Sequence, residues 1–121
     1  MSDGVLLKSV MWVGSSRHDL RQFPERVRDH VGYALYVAQR GGRPRGARIL
    51  QGFGGAGVLE IIREFSGDAF RAVYTVRYAD AVYVLHVFQK KSRRGRETPR
   101  MDMELIERRL REAEQIAKER G

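Results

Sequence analysis

The chain has 121 residues, 42% hydrophobic and 31% charged, a size and balance that predict one globular domain over residues 1–121. It has no cysteine and no apolar run near the roughly 20 residues that cross a bilayer, which excludes disulfides, thiolate chemistry, thiolate metal sites and a membrane-spanning helix. The 23 lysines and arginines outnumber the 15 acidic residues and give a net charge of +8, which favours a polyanionic partner such as nucleic acid.

The N-terminal third of the sequence predicts one strand and two helices. Residues 1–16 lack the regions of a signal peptide, so we expect a cytoplasmic protein. The β-prone run from Leu6 to Val13 predicts a strand, and Ser15 or Ser16 can cap a short helix through Leu20. A second helix has Pro24 at its first position. Its predicted apolar face consists of Val27, Val31, Ala34, Leu35 and Ala38.

The middle of the chain is glycine-rich and then β-prone. The segment from Arg43 to Gly57 predicts a loop with a short turn. Three runs follow, from Val58 to Glu64, Phe70 to Tyr78 and Ala81 to Gln89, and their short linkers Ser66-Gly67-Asp68 and Ala79-Asp80 predict antiparallel hairpins. The middle run alternates between a face with Phe70, Ala72, Tyr74, Val76 and Tyr78 and a face with Arg71, Val73, Thr75 and Arg77.

A long helix closes the chain. Thr98-Pro99 supplies an N-cap and a first-turn proline, and apolar residues at helical spacing continue to about Glu119. The strand before this helix is almost wholly apolar and should lie centrally in the sheet. The order β-α-α-β-β-β-α predicts an α+β fold, with a four-stranded, mostly antiparallel sheet, two N-terminal helices and a C-terminal helix.

Two short patterns in this order resemble the RelE/ParE superfamily of type II toxin–antitoxin toxins, in particular its phage-related, HigB-like branch. The resemblance covers nearly the whole chain. Its strand pattern is matched by Gly67, Phe70, Arg71, Val73 and Tyr74, and its pattern at the end of the last strand by Phe88, Lys90, Lys91, Ser92, Thr98 and Pro99. The spacer SRRGRE between the lysine pair and Thr98 is longer and more basic than is usual in the family.

The resemblance implies a RelE-like fold and a ribosome-dependent mRNA endonuclease (mRNA interferase). It further implies a cognate antitoxin that holds the toxin inactive and often carries a helix-turn-helix domain. The expected partners are therefore this antitoxin and mRNA on the ribosome, with no membrane, metal or other cofactor.

RNA can be cut without a metal when the 2′-hydroxyl attacks the adjacent phosphate, which needs a proton acceptor, a proton donor and cations near the developing charge. The resemblance implies Arg71, Lys90 and Lys91 as charge stabilisers. His86 lies in phase with Lys90, and histidine is suited to proton transfer near neutrality, so we include it among the predicted catalytic residues. The predicted RNA-binding residues are Arg63, Arg93, Arg94 and Arg96.

Each candidate also has a structural alternative. Arg71 can form an ion pair with a carboxylate such as Glu60 on the neighbouring strand. The lysine pair can be a solvated strand end that blocks edge pairing. His86 can be a hydrogen-bonded core residue because its strand is apolar.

Two other functions remain open for the whole chain. A ParE-like toxin of the same fold would inhibit DNA gyrase through protein contacts and would have no nuclease activity. A basic, non-enzymatic RNA-binding domain would bind with steep salt dependence and cleave nothing.

Overall fold

A computed structural model describes residues 6–55, 57–90 and 98–121. Within these ranges the chain forms five strands and three helices in one layered α+β arrangement, with the sheet order β1-β5-β4-β3-β2. The elements are β1 Ser9–Trp12, α1 Ser16–Arg21, α2 Glu25–Gln39, β2 Arg48–Ile49, β3 Val58–Phe65, β4 Asp68–Thr75, β5 Ala81–Lys90 and α3 Arg100–Arg120. Four predicted site residues, Lys91, Arg93, Arg94 and Arg96, lie outside the described residues.

The predicted α+β class and element order are confirmed, with one additional strand. β2 lies inside the glycine-rich segment and pairs antiparallel with β3, Arg48 opposite Glu60 and Ile49 opposite Leu59. Two residues are too few to show a period in the sequence, which is why this strand was not predicted. β5 lies between β1 and β4, and β1 alone of the described strands runs parallel to its neighbour.

The two hairpins differ from their predicted linkers. β3 and β4 are joined by Ser66 and Gly67 alone, at φ 52° and 84°, as a type I′ turn requires. β4 ends at Thr75, before the predicted Tyr78, although the backbone N–H of Val76 still donates to the carbonyl of Gly57 at 2.9 Å. Tyr78 therefore packs on the opposite side of the sheet from Phe70, and its predicted face was wrong.

The starts of α2 and α3 also differ by one position from prediction. Pro24 and Pro99 directly precede these helices, and neither helix has a side-chain N-cap bond. The expected N-cap residue Thr98 instead directs its hydroxyl at Glu60. The predicted apolar face of α2 is confirmed, because its five residues are all buried.

The sheet separates two apolar clusters. On one face α2 packs over Phe70, Tyr74 and Val82, and on the other α3 packs over Val73, Tyr83 and Leu85 through residues such as Ile106. Tyr74 is fully buried, and burial raises the pKa of its phenol to about 12. Among the described helices, none is long and apolar enough to cross a membrane.

A β-bulge in β5 sets the direction of the residues that follow it. Val73 of β4 is opposite His86, whereas the next residue, Tyr74, is opposite Val84, so Leu85 is an extra residue. Such an extra residue leaves its backbone outside the ladder, and here the carbonyl of Leu85 accepts a 2.9 Å hydrogen bond from Nη1 of Arg109. The bulge brings both Leu85 and His86 to the α3 side of the sheet.

Candidate functional site

A set of polar residues lies on the side of the sheet that faces α3, next to the N-terminus of that helix. Residues directly opposite each other in adjacent strands share a face, and one row across the sheet runs Arg48, Glu60, Val73 and His86. The next row is Ile62, Arg71 and Phe88, and the third is Glu64, Ala69 and Lys90. We call the polar members of these rows, together with Thr98 and Asp102, the polar face.

Glu60 is the centre of the polar face and is fully buried. Its Oε1 accepts hydrogen bonds from Nε and Nη2 of Arg48 at 3.0 and 2.8 Å. Its Oε2 accepts one from Nη1 of Arg71 at 3.2 Å and one from the hydroxyl of Thr98 at 3.2 Å. A buried carboxylate must be compensated in this way, since desolvation of an uncompensated charge is expensive.

The Glu60 network therefore joins two guanidinium groups to one buried carboxylate. Arg71 is only 3% exposed and also donates to Oγ1 of Thr98 at 3.3 Å. The structural alternative considered for Arg71, an ion pair with Glu60, is present. Thr98 connects this network to the start of α3, which explains why its hydroxyl does not cap the helix.

His86 forms the second polar cluster on this face. Its Nε2 lies 2.7 Å from Oδ1 of Asp102 in the first turn of α3, and its ring stacks on Phe88 with centroids 4.5 Å apart. Nδ1 of His86 is buried and has no hydrogen-bond partner among the residues that the structure describes. Burial lowers the pKa of His86, while the hydrogen bond and charge of Asp102 act in the opposite direction.

These contacts favour one tautomer of the neutral His86 ring. A neutral ring has one N–H, and it must be at Nε2 for that atom to donate to the Asp102 carboxylate. Nδ1 then carries a lone pair, and a proton there would be a buried donor without an acceptor among the described groups. In that tautomer Nδ1 is the acceptor nitrogen of the ring, and it is buried.

The structure brings some of the predicted site residues together and separates others. Arg71, His86 and Lys90 all lie on the polar face, in three successive rows of the β4–β5 pair. Arg63 is opposite Phe70 and so lies on the α2 side of the sheet. There it is near His30, whose pKa is lowered mainly by burial and secondly by the positive charge of Arg63.

Three residues of the polar face were not predicted as site residues from the sequence: Arg48, Thr98 and Asp102. Arg48 belongs to a strand too short to detect, so its position opposite Glu60 had no signal in the sequence. Asp102 follows Pro99 by three residues, and an acidic residue in a first helical turn is ordinarily explained by the helix dipole. Within the described ranges, no group of three His, Asp or Glu residues is placed to hold a metal ion.

Comparison with known proteins gives one family and one structural neighbour of note. The family model for "Phage derived protein Gp49-like (DUF891)" matches residues 18–111. Among solved structures, the chain is similar to one in the toxin–antitoxin complex RelBE2 from Mycobacterium tuberculosis, with 21% identity, a TM-score of 0.49, and coverage of 75% of this chain and 100% of that chain. No curated protein is significantly similar to the chain.

Proposed function

Because the chain belongs to the Gp49-like family of phage-derived proteins, a family of RelE-like toxins, we propose that it is a ribosome-dependent mRNA endonuclease. The predicted membership of the RelE/ParE superfamily is confirmed by the family match. That the chain belongs to the HigB-like branch, and that it is a nuclease, are parts of the proposal. We further propose that a cognate antitoxin, such as a helix-turn-helix protein, holds the toxin inactive.

The observation that carries the proposal is the position of cations and a neutral histidine on one sheet face. Arg71, His86 and Lys90 occupy successive rows on the same side of β4 and β5. This supports a cleavage in which the 2′-oxygen forms a bond to phosphorus while the bond from phosphorus to the 5′-oxygen breaks. The products are a 2′,3′-cyclic phosphate and a free 5′-hydroxyl.

Each residue has a proposed role in that step. His86 is the proposed proton acceptor for the 2′-hydroxyl; its Nε2 is bonded to Asp102 and its Nδ1 is buried, so this role requires the RNA to displace the groups that cover Nδ1. Lys90 and Lys91 stabilise the charge on the phosphorane and donate a proton to the leaving 5′-oxygen. Arg71 contributes its positive charge from the buried network. The other predicted RNA contacts are Arg63, Arg93, Arg94 and Arg96.

The test is to express a Lys90→Ala/Lys91→Ala variant and to map the ends of cellular mRNA after brief induction. We expect growth arrest and cleavage to be lost while the urea unfolding midpoint stays close to that of the wild type. Lys118→Ala, which removes an exposed lysine near the end of α3, is the matched control and should remain toxic. A folded double variant with full cleavage would contradict the site assignment.

The same induction separates the proposal from its rivals. A gyrase inhibitor would leave DNA breaks and intact mRNA. A non-enzymatic RNA-binding domain would leave both intact. The purified wild type, added to ribosomes that carry mRNA, should give new 5′-hydroxyl ends, and their absence would overturn the proposed function.

A further inference from the structure

Strand β3 is longer than the strand that pairs with its outer side. It runs from Val58 to Phe65, and every one of its residues is opposite a residue of β4. On the other side β2 consists of Arg48 and Ile49 alone, which pair with the first half of β3. The first four residues of β3 are buried, whereas the last four are half-buried or exposed. We call these last four residues, Ile62–Phe65, the open edge.

The backbone of the open edge directs hydrogen-bonding groups away from the sheet. In an antiparallel ladder, successive residues direct their N–H and C=O groups to alternate sides. The carbonyl of Val58 is directed toward β2, since it accepts a hydrogen bond from the N–H of Leu50 at 2.9 Å. By the same alternation, Ile62 and Glu64 direct their N–H and C=O groups to the side where β2 has ended. Among the described residues, no hydrogen bond ends at these groups, so they are open to a further strand.

The segment before β2 does not supply that strand. In the register of β2, Gly46 would be opposite Ile62 and Pro44 would be opposite Glu64. Residues 44–47 instead form a turn, in which the N–H of Ala47 donates to the carbonyl of Pro44 at 3.1 Å and Gly46 has a φ of 83°. Proline also has no N–H to donate to a ladder. The open edge therefore needs a strand from outside this segment.

Arg63 places a positive charge in the middle of the open edge. It is half-buried, and its buried Nε has no hydrogen-bond partner among the described residues. None of the ion pairs between described residues includes it. Directly opposite residues of adjacent strands are close enough for their side chains to interact. A strand added at this edge would therefore gain from an acidic residue opposite Arg63.

We propose that an extended, acidic segment of a protein partner binds the open edge as an additional antiparallel strand. Its backbone pairs with Ile62 and Glu64, and an acidic side chain lies opposite Arg63. The next position along the segment faces the same side of the sheet as Ile62, where an apolar side chain fits. The inference goes beyond the proposed function and does not require nuclease activity. Because Arg63 is also a predicted RNA contact, the segment and RNA compete for it.

Amide hydrogen exchange measured by NMR tests the backbone part of the proposal. In the free protein, the amides of Ile62 and Glu64 should exchange at least about tenfold faster than those of Ile61 and Arg63, whose N–H groups are directed at β4. The probe is the end-blocked peptide Thr-Val-Thr-Glu-Val, which places glutamate opposite Arg63 and valine opposite Ile62. At millimolar peptide, the exchange of Ile62 and Glu64 should become slow.

Two results of this measurement would overturn the proposal. One is unchanged exchange of the two amides in the presence of the peptide. The other is slow exchange in the free protein that becomes slower as the protein concentration rises, because a second copy of the chain would then occupy the open edge.

Reversal of charge tests the choice of an acidic partner. Arg63→Ala should weaken peptide binding by about tenfold, the effect of losing one charge-assisted hydrogen bond. Arg63→Glu should prefer the same peptide with lysine in place of glutamate, a reversal that a purely structural role of Arg63 would not produce. The net charge of +8 attracts any acidic peptide, so the matched control is Arg108→Ala, which removes an exposed arginine on α3 and should leave the affinity unchanged.

Circular dichroism shows whether each variant is folded. If the Arg63 variants do not fold, the wild type is compared with the two peptides at high salt, where the net charge is screened. A continued preference for the glutamate peptide is the expected result. Equal affinity for the two peptides would overturn the proposal.

Discussion

His86 shows how one buried hydrogen bond determines the behaviour of a titratable side chain. Its Nε2 is bonded to Asp102, and its Nδ1 has no partner among the described residues. Protonation would place a second N–H in a buried position where no described group accepts it, so burial lowers the pKa of the ring. The native protein therefore binds a proton at this site less readily than the unfolded chain.

We expect the free energy of unfolding to fall as the pH is lowered from 7.5 to 5.5. Above the pKa of about 6.5 that a histidine has in the unfolded chain, His86 is neutral in both the folded and the unfolded protein. Below that pH the unfolded chain binds a proton that the folded protein does not bind, because the pKa of native His86 is lowered. The free energy of unfolding therefore decreases until the pH reaches the lowered native pKa. The urea midpoint at the two pH values measures this loss. His86→Gln should reduce it, leaving mainly the part due to His30, whose pKa is also lowered by burial. Equal pH dependence in the variant and the wild type would contradict the assignment.

Arg109 provides a second test at the scale of single residues. Its Nη1 donates to the carbonyl of Leu85 at the bulge and its Nη2 to Oγ of Ser15. Arg109→Ala leaves that carbonyl without its charged donor, so we expect a loss of about 1–3 kcal/mol in the free energy of unfolding. Arg108→Ala removes the exposed neighbour on α3 and should cost under about 0.5 kcal/mol. Urea titration of both variants gives the comparison, and equal losses would refute the role of the bulge contact.

Among the elements, the β3–β4 hairpin has the most demanding backbone. Ser66 and Gly67 both have positive φ, the region that L-residues with a Cβ avoid. Gly67→Ala should lower the free energy of unfolding by about 1–2 kcal/mol. Ser66→Asn should raise it by about 0.5 kcal/mol, because asparagine tolerates the left-handed region and Asn-Gly favours this turn. Thermal unfolding of the two variants should shift the midpoint in opposite directions, and a shift in the same direction would show that turn conformation is not the cause.

The longer elements could be predicted from the sequence because their periodicity is strong. The face of α2 that includes Val27 and Val31 repeats over about three turns, and short linkers separate the strands β3 to β5. β2 and the bulge at Leu85 had no such signal, since each depends on the register of a neighbouring strand. The end of β4 at Thr75, three residues before the predicted Tyr78, had no signal in the sequence either.

The candidate site was predictable only in part for the same reason. Family patterns in the sequence identified Arg71 and Lys90, and the alternation of β5 placed His86 in phase with Lys90. The partners that determine what these groups can do, Glu60 and Asp102, come from other elements. Glu60 had been considered as a partner of Arg71, but its second arginine was not predicted.

At the scale of the whole molecule, the net charge of +8 should be the main attraction between the protein and RNA. The affinity of the wild type for a short single-stranded RNA should fall by about twentyfold between 50 and 200 mM salt if about three phosphates are contacted. A DNA strand of the same length should show a similar slope, because this part of the binding does not depend on sequence. Fluorescence anisotropy at several salt concentrations measures both, and a flat dependence would exclude phosphate contacts as the source of affinity.

The parallel pairing of β1 with β5 has a consequence for the order in which the chain folds. Ser9 is opposite Ala81 and Trp12 is opposite Val84, so β1 can pair with β5 only after β2, β3 and β4 have been synthesised. Contacts between residues so far apart in sequence must offset a large loop-closure entropy and form slowly. On a translating ribosome, β1 therefore cannot pair in the sheet until β5 has emerged. Because β5 also carries His86 and Lys90, the same pairing event completes the sheet and places these two residues, and Thr98 and Asp102 join the polar face only afterwards.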